Sequence, residues 1–351
     1  MKKKVLLGMS GGFDSVWSCK VLQKAGYEVE GLFLALHKGA DSTDAQTAAD
    51  KLGIRLHIAH YEEDFKNEVE DYFVNEYKEG RTPNPCVECN RKIKFDKLLK
   101  EADKLGIKYI ATGHYVRVLN DGERYFLKCA KDKTKDQSYF LWKLSQEQIS
   151  RFIAPLAEYE KKEVKELVQE EKLINKNKES QEICFIENDD YISYLKSRLD
   201  AKGVEKAFGE GNFVTFDGKI IGKHNGVASY TVGQRKGLGI ALGRPAYVID
   251  IKPDTKEVVI GFEEDNISTS FYVDSLNFVA MPEFEGSVDC FVRPRYRSPL
   301  IPATVTVKDG RAEVKTKAPI KKVCIGQSAV FYDENENLIF GGYITELFLP
   351  K

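Results

Sequence analysis

Three cysteines occupy positions where thiol chemistry could be done. Cys86 and Cys89 form a C-x-x-C pair in Thr82-Pro83-Asn84-Pro85-Cys86-Val87-Glu88-Cys89-Asn90-Arg91-Lys92-Ile93-Lys94-Phe95, and Cys184 follows in Ser180-Gln181-Glu182-Ile183-Cys184-Phe185-Ile186. Two prolines fix an extended approach to the pair. The pattern places Cys89 just before a helix rich in Lys and Arg, and both the helix N-terminus and the cations lower a thiol pKa. Cys184 reads as part of an apolar, strand-like run after a polar loop. A C-x-x-C pair is ambiguous by itself. Structural zinc needs four ligands, and no second C-x-x-C or H-x3-H is present. A thioredoxin-type pair opens a helix directly after a strand, whereas this one follows a proline-rich loop. Cys19, Cys129, Cys290 and Cys324 have no partners in sequence and read as small buried hydrophobes.

A second constellation lies near the N-terminus. Gly8-Met9-Ser10-Gly11-Gly12-Phe13-Asp14-Ser15 separates a short apolar strand, 3–9, from a helical stretch, 14–25. Successive backbone N–H groups and a helix N-terminus form a cradle for phosphate oxygens, and the glycines let a ligand approach closely. The loop lacks the lysine of a Walker A sequence and is not G-x-G-x-x-G. The bland alternative is a glycine-rich turn whose Asp14 or Ser15 caps the helix.

The elements that would position these groups follow from periodicity. Strands are expected at 3–9, 29–36, 54–60 and 108–112, with helices at 14–25, 43–52 and 91–105, which implies βαβ units and a parallel sheet. Past about residue 200 helical periodicity stops. Short alternating runs appear between Gly, Asn and Asp turns, and from Phe271 onward strands dominate, as in a compact barrel or sandwich. The expected architecture is α/β: an N-terminal doubly wound parallel sheet over 1–200, a small mixed β domain over 201–268 and a C-terminal β-barrel over 269–351.

Bulk properties agree with a soluble, cytoplasmic chain. The 351 residues are 42% apolar and 30% charged, with seven cysteines and a net charge of −1. No apolar run approaches the roughly 18 residues of a membrane span, and the N-terminus lacks a secretory signal. The neutral average hides an asymmetry, since the segment from Gly286 to Ile325 holds nine Lys/Arg against three acids. Such a patch suits a phosphate backbone, and a solvated lysine-rich strand face explains it equally.

The SGGxDS loop resembles the pyrophosphate loop of the ATP-pyrophosphatase superfamily, with its adenine nucleotide alpha hydrolase-like fold. Phe13 departs from the smaller apolar residue usual there. Further motifs occur in one order: NPCVECN…IKF, Ala111-Thr112-Gly113-His114-Tyr115, Lys135-Asp136-Gln137-Ser138-Tyr139, SQEICFI, and Tyr230-Thr231-Val232-Gly233-Gln234-Arg235-Lys236-Gly237-Leu238-Gly239-Ile240. This set, which spans nearly the whole chain, resembles the bacterial tRNA-specific 2-thiouridylase family.

The resemblance implies activation of the C2 oxygen of the wobble uridine by ATP with Mg2+, then replacement of that oxygen by sulfur. By that resemblance Cys184 carries the sulfur as a persulfide delivered by a sulfur-relay protein, and Cys89 is the nucleophile that releases it and closes a transient disulfide. It also implies ATP contacts at Gly8 to Ser15, Leu34 and Gly113, with Asp14 orienting the loop or helping to hold Mg2+. Asn84, Pro85 and Cys86 match the loop that receives the flipped base. His114, Lys135, Asp136, Gln137, Arg295, Tyr296 and Gln327 match tRNA contacts, although Val323-Cys324-Ile325-Gly326-Gln327 departs from the usual Ala-Pro-Gly-Gln. Three readings compete. One is another ATP-pyrophosphatase acting on a nucleotide. Another is an iron–sulfur protein using Cys86, Cys89 and Cys184. The third is a tRNA-binding module without catalysis.

Overall fold

The computed structural model describes residues 2–174, 183–321 and 323–348. Its first sheet runs in the order β3 (Leu56–His60), β2 (Glu28–Ala35), β1 (Lys4–Gly8), β4 (Tyr109–Ala111), β7 (Phe152–Ile153). Every neighbouring pair in it is parallel. Successive strand residues face opposite sides of a sheet, and β1 obeys this closely. Val5 and Leu7 pack with the helices α1 (Phe13–Lys24) and α2 (Thr43–Leu52) and with the helix Lys161–Glu170. Leu6 goes to the other face, against Phe95, Leu98, Leu99 and Ala102.

Those four residues belong to one continuous helix, 85–104, whose middle, Cys89–Phe95, is widened into π geometry. A second helix, 62–78, is widened in the same way at Lys66–Glu70. The first corrects the sequence expectation. The helix begins at Pro85 rather than near Arg91, because proline at the first helical position costs no hydrogen bond. Cys89 therefore lies inside the helix and not before it.

A hairpin of β5 (Arg117–Asn120) and β6 (Tyr125–Lys128) leaves the first sheet and pairs with a strand of the C-terminal barrel. The central sheet is mixed, in the order β10 (Tyr247–Lys252), β11 (Glu257–Gly261), β8 (Gly211–Val214), β9 (Ile220–His224). A helix at Ala201–Phe208 precedes it, so helical structure continues slightly past the expected texture change at 200. The barrel runs β12 (Ile267–Phe278), β15 (Arg311–Lys321), β14 (Ile301–Lys308), β13 (Gly286–Arg293), β16 (Ser328–Tyr332), β17 (Asn337–Phe348), and pairing of β12 with β17 closes it. The interior is apolar, with Phe271, Val292, Val305, Val314 and Phe331 fully buried.

The barrel is stitched to the first sheet's core by specific contacts. The Trp142 Nε1–H donates to Ser328 Oγ at 2.9 Å, and the Tyr139 hydroxyl to the Ser328 carbonyl at 2.9 Å. Arg293 on β13 donates to Asp136 Oδ2 at 3.0 Å, a nearly dry ion pair. The positive excess counted along Gly286–Ile325 is partly neutralised in three dimensions. Arg293, Arg311 and Lys321 meet Asp136, Glu346 and Glu263, all outside that segment, while Lys315 and Lys317 meet Glu313 and Asp289 within it. Those three acids are distant in sequence, on two loops and on β17, which a count along the segment cannot show; Lys322 lies outside the described residues.

Gly341 on β17 tests the fit between barrel and first sheet. A Cβ there would stand 2.7 Å from the Trp142 ring. Gly341→Ala should destabilise the protein by about 1–3 kcal/mol through overpacking, seen as a lower denaturant midpoint. An unchanged midpoint would mean that this junction is slack.

Candidate active site

The carboxyl ends of β1 and β4 diverge where the strand order reverses, β2 lying on one side of β1 and β4 on the other. Such a switch point opens a crevice in doubly wound sheets. Here it holds a cleft of about 280 Å³, lined by Gly8, Met9, Ser10, Asp14, Ser15, Leu34, Lys94, Gly113, His114 and Gln137 among others.

The glycine loop is shaped by close approach. Gly11 has φ +79°, and a Cβ on it would lie 2.5 Å from the Asp44 carbonyl carbon, so the loop rests directly on the first turn of α2. Gly113 is packed as tightly against Asp14, where an added Cβ would come to 2.8 Å of the Asp14 Cβ. Inside the loop the Ser15 hydroxyl donates to the Gly12 carbonyl at 3.0 Å and accepts from the Ser10 N–H at 3.3 Å. Phe13 is turned into the core beside Trp17, consistent with a residue that packs beneath the loop.

Asp14 has two partners that no local signal revealed. Lys161 donates to both carboxylate oxygens at 2.6 Å, and the Tyr115 hydroxyl donates to Oδ1 at 2.9 Å. Lys161 is 147 residues away in the chain. With both oxygens engaged, Asp14 fits the loop-orienting role better than that of a free Mg2+ ligand.

The thiols group behind the cleft, around its lining residue Lys94. Cys86 is half-buried, Cys89 is buried beside Phe65, Val69 and Ile93, and Cys184 is exposed. Cys184 sits in a turn at 183–186 rather than in the expected strand, while Ser180, Gln181 and Glu182 lie outside the described residues. Its neighbour Phe185 anchors that turn, packing edge-on to Phe65 at 5.6 Å and Phe73 at 5.4 Å. Cys184 is close enough to contribute to raising the pKa of both Cys86 and Cys89.

The expectation of an acidic Cys89 thiol is overturned. Burial pushes it up to about 12, and the opposing pull of the Lys94 ammonium does not compensate. Burial likewise raises Cys86. Both thiols are protonated at rest, because a position inside a packed helix loses more solvation than a helix N-terminus returns. Among the described residues no three His, Cys, Asp or Glu side chains are arranged to hold a metal ion.

His114 is buried, and its Nδ1 lies 2.7 Å from the Thr112 hydroxyl. Burial, helped by the Lys94 charge, lowers its pKa to about 3. It is a neutral imidazole on the cleft wall. Gln137 ties the same wall down: its Oε1 accepts from the Tyr115 N–H at 3.0 Å.

The other expected contacts divide by exposure. Lys135 is exposed, while Asp136 is buried, accepting from Ala130 N–H, the Ser138 hydroxyl and Arg293. Asp136 therefore braces its loop against the barrel, and the sequence could not show its partner there. Tyr296 packs on Phe140 with centroids 4.4 Å apart, so the Arg295–Tyr296 loop lies beside the 135–137 loop. Gln327 Nε2 donates to the Thr82 and Pro83 carbonyls, both at 3.0 Å, and so braces the approach to Asn84, Pro85 and Cys86. Asn84 and Pro85 are buried.

Lys94 escaped the sequence reading as a functional residue, although it stands in the quoted IKF stretch. It lines the cleft, and its charge reaches Cys86, Cys89, Cys184 and His114. Burial works against its ammonium, and the attraction of the three thiols outweighs that, leaving its pKa above the ordinary lysine value.

The depressed His114 pKa has a stability consequence. The unfolded chain binds this proton near pH 6.5 and the folded chain only near 3. Stability is therefore full above about pH 6.5 and falls as pH drops below it, by up to roughly 1.4 kcal/mol per pH unit. His114→Gln should flatten the acid limb of the denaturation midpoint against pH. An identical limb in both proteins would show that the imidazole is solvated.

Three family models match in succession. They are the tRNA methyl transferase HUP domain over 3–188, the tRNA methyl transferase PRC-barrel domain over 201–262 and the aminomethyltransferase beta-barrel domain over 268–344. The tRNA-specific 2-thiouridylase MnmA of Clostridium botulinum strain Alaska E43 is 41% identical, over 98% of each chain. The tRNA-specific 2-thiouridylase MnmA 1 of strain Loch Maree is 40% identical, over 99% of this chain and 100% of its own. Taken with the switch-point cleft and its thiols, these full-length matches show that the chain belongs to the tRNA-specific 2-thiouridylase family.

Proposed function

We propose that this protein is an ATP-dependent sulfurtransferase that converts the C2 carbonyl of the tRNA wobble uridine into a thiocarbonyl. The observation that carries the reading is a link between two sites far apart in sequence: Lys94 lines the same cleft as the glycine loop after β1, and it lies within electrostatic reach of Cys86, Cys89 and Cys184.

The chemistry explains why both sites are needed. The uridine C2 carbonyl is urea-like and a poor electrophile. Transfer of adenylate from ATP to its oxygen, with loss of pyrophosphate, converts that oxygen into a leaving group. Backbone N–H groups of residues 8–15 and the N-terminus of α1 favour the phosphates, and Mg2+ bound with the nucleotide would offset their charge. The uridine must leave its stack to reach the cleft, and Asn84, Pro85 and Cys86 open the helix that lines it. Sulfur enters as a persulfide on Cys184, the thiol exposed to a donor protein. Cys89 attacks the Cys184 sulfur, the two close a disulfide, and the sulfane sulfur departs as hydrosulfide. That sulfur adds to C2 and AMP leaves. Cellular thiols then reduce the disulfide.

For tRNA, the adjacent 135–137 and 295–296 loops form the contact region, with Lys135 and Arg295 offering the charges. Its place of work is the cytoplasm, where tRNA and reducing thiols are available.

Cys89→Ser and Cys184→Ser should each lower thiolation in vitro at least ~1,000-fold, since each removes a bond-forming sulfur. Both should leave the tRNA dissociation constant near wild type. Loss of tRNA binding in either variant would make these cysteines structural. Arg295→Ala should weaken tRNA binding and reduce the salt slope of log K by about 1; an unaltered slope would remove the 295–296 loop from the phosphate path.

A further inference from the structure

Lys94 has no carboxylate partner among the described residues: no acid pairs with it, although it is flanked by the fully buried Ile93 and Phe95. A cation placed in a packed wall without a counter-ion is costly and is retained where something charged must appear beside it. The helix geometry says where that is. In an α-helix, about 100° per residue would leave positions 89 and 94 on different flanks. The π-widened turn of Cys89–Phe95 repeats over five residues instead and brings those two side chains toward one flank. The 183–186 turn, held by Phe185 against the cluster that includes Cys89, presents Cys184 to the same place.

We propose that Lys94 is the positioning residue of the sulfur-release step, its ammonium pairing with the negative charge that develops on Cys89 as it attacks the Cys184 persulfide. The step balances as written. A Cys184 persulfide anion and the Cys89 thiol become the Cys89–Cys184 disulfide and hydrosulfide. The sulfane sulfur takes two electrons from the two cysteine sulfurs, and the Cys89 proton leaves with it. No external base is required. The groups that face Cys89 are Lys94 and Cys86 from its own helix and Cys184 from the 183–186 turn, whereas the 62–78 helix presents only the apolar Phe65 and Val69. His114, also within reach of Lys94, stays neutral above about pH 3 and supplies no competing charge. The elevated resting pKa of Cys89 fits this assignment, because a thiol quiet in the free protein and helped only by one nearby cation is protected from stray oxidation.

The proposal deepens the thiolation reading and rests on it, but its test needs neither tRNA nor ATP. Full-length protein is labelled with methyl methanethiosulfonate at pH 9, and modification of Cys89 is followed peptide by peptide by mass spectrometry. Lys94→Met keeps the side-chain length without the charge and should slow Cys89 labelling at least tenfold, while Lys94→Arg should stay within about threefold of wild type. In single-turnover thiolation from a preloaded persulfide, Lys94→Met should lower the rate at least tenfold with the tRNA dissociation constant unchanged. Equal labelling in wild type and Lys94→Met, no Cys89 labelling in the wild type, or equal loss in the Met and Arg variants would overturn the assignment. If wild-type protein fails to thiolate tRNA while the labelling pattern holds, the functional reading fails and the cation–thiol pairing survives.

Discussion

The helix at 85–104 is pinned at a buried carboxylate. Glu88 is almost fully excluded from solvent, and it keeps its charge because Lys143 pairs with it and the Tyr343 hydroxyl donates at 2.5 Å. Burial alone would raise its pKa, and these two partners reverse the direction. Removing one partner of such a set strands the other charge in a dry place. The helix therefore cannot rotate or slide without breaking contacts to residue 143 on one side and the barrel strand β17 on the other. Every reactive group discussed above is referenced to that fixed rod: Cys86 and Cys89 directly, Lys94 on its widened turn, and Cys184 through Phe185 packing on the cluster beside it.

Two charges on this helix thus have opposite fates. Glu88 is paired with Lys143 and Tyr343 through Oε1 and sets position; Lys94 is not compensated by any acid among the described residues and is left to face the thiols. The same contrast recurs across the cleft. Asp14 is locked by Lys161 and Tyr115, which fixes the start of α1 beside the glycine loop. His114 is kept neutral by burial, so the cleft wall between loop and thiols carries hydrogen-bonding groups and one cation. A wall of this kind favours anionic sulfur and phosphate over competing charge.

The barrel does more than add surface. Its strands supply Arg293 to Asp136 and Tyr343 to Glu88, and β17 accepts the β5–β6 hairpin from the first sheet's side of the chain. Residues 135–137 and 295–296 become neighbours through these joints. The relative placement of these two loops therefore depends on barrel and sheet being held in one register.

Sequence alone determined the periodic and local features. Alternating strands and helices announced the parallel sheet, regular turns announced the barrel, and the SGGxDS loop announced a phosphate cradle, since each depends on residues within a few positions of one another. Tertiary structure decided whatever depends on burial or on distant partners. It turned Cys89 from an activated thiol into a quiet one, because burial is not visible in a C-x-x-C spacing. It paired three cations of the basic barrel segment with acids from outside it, one of them the buried Asp136. It also singled out Lys94, a residue with cysteines around it and no carboxylate partner among the described residues. Short-range chemistry is written in spacing, whereas solvation and charge balance exist only once the chain has closed around them.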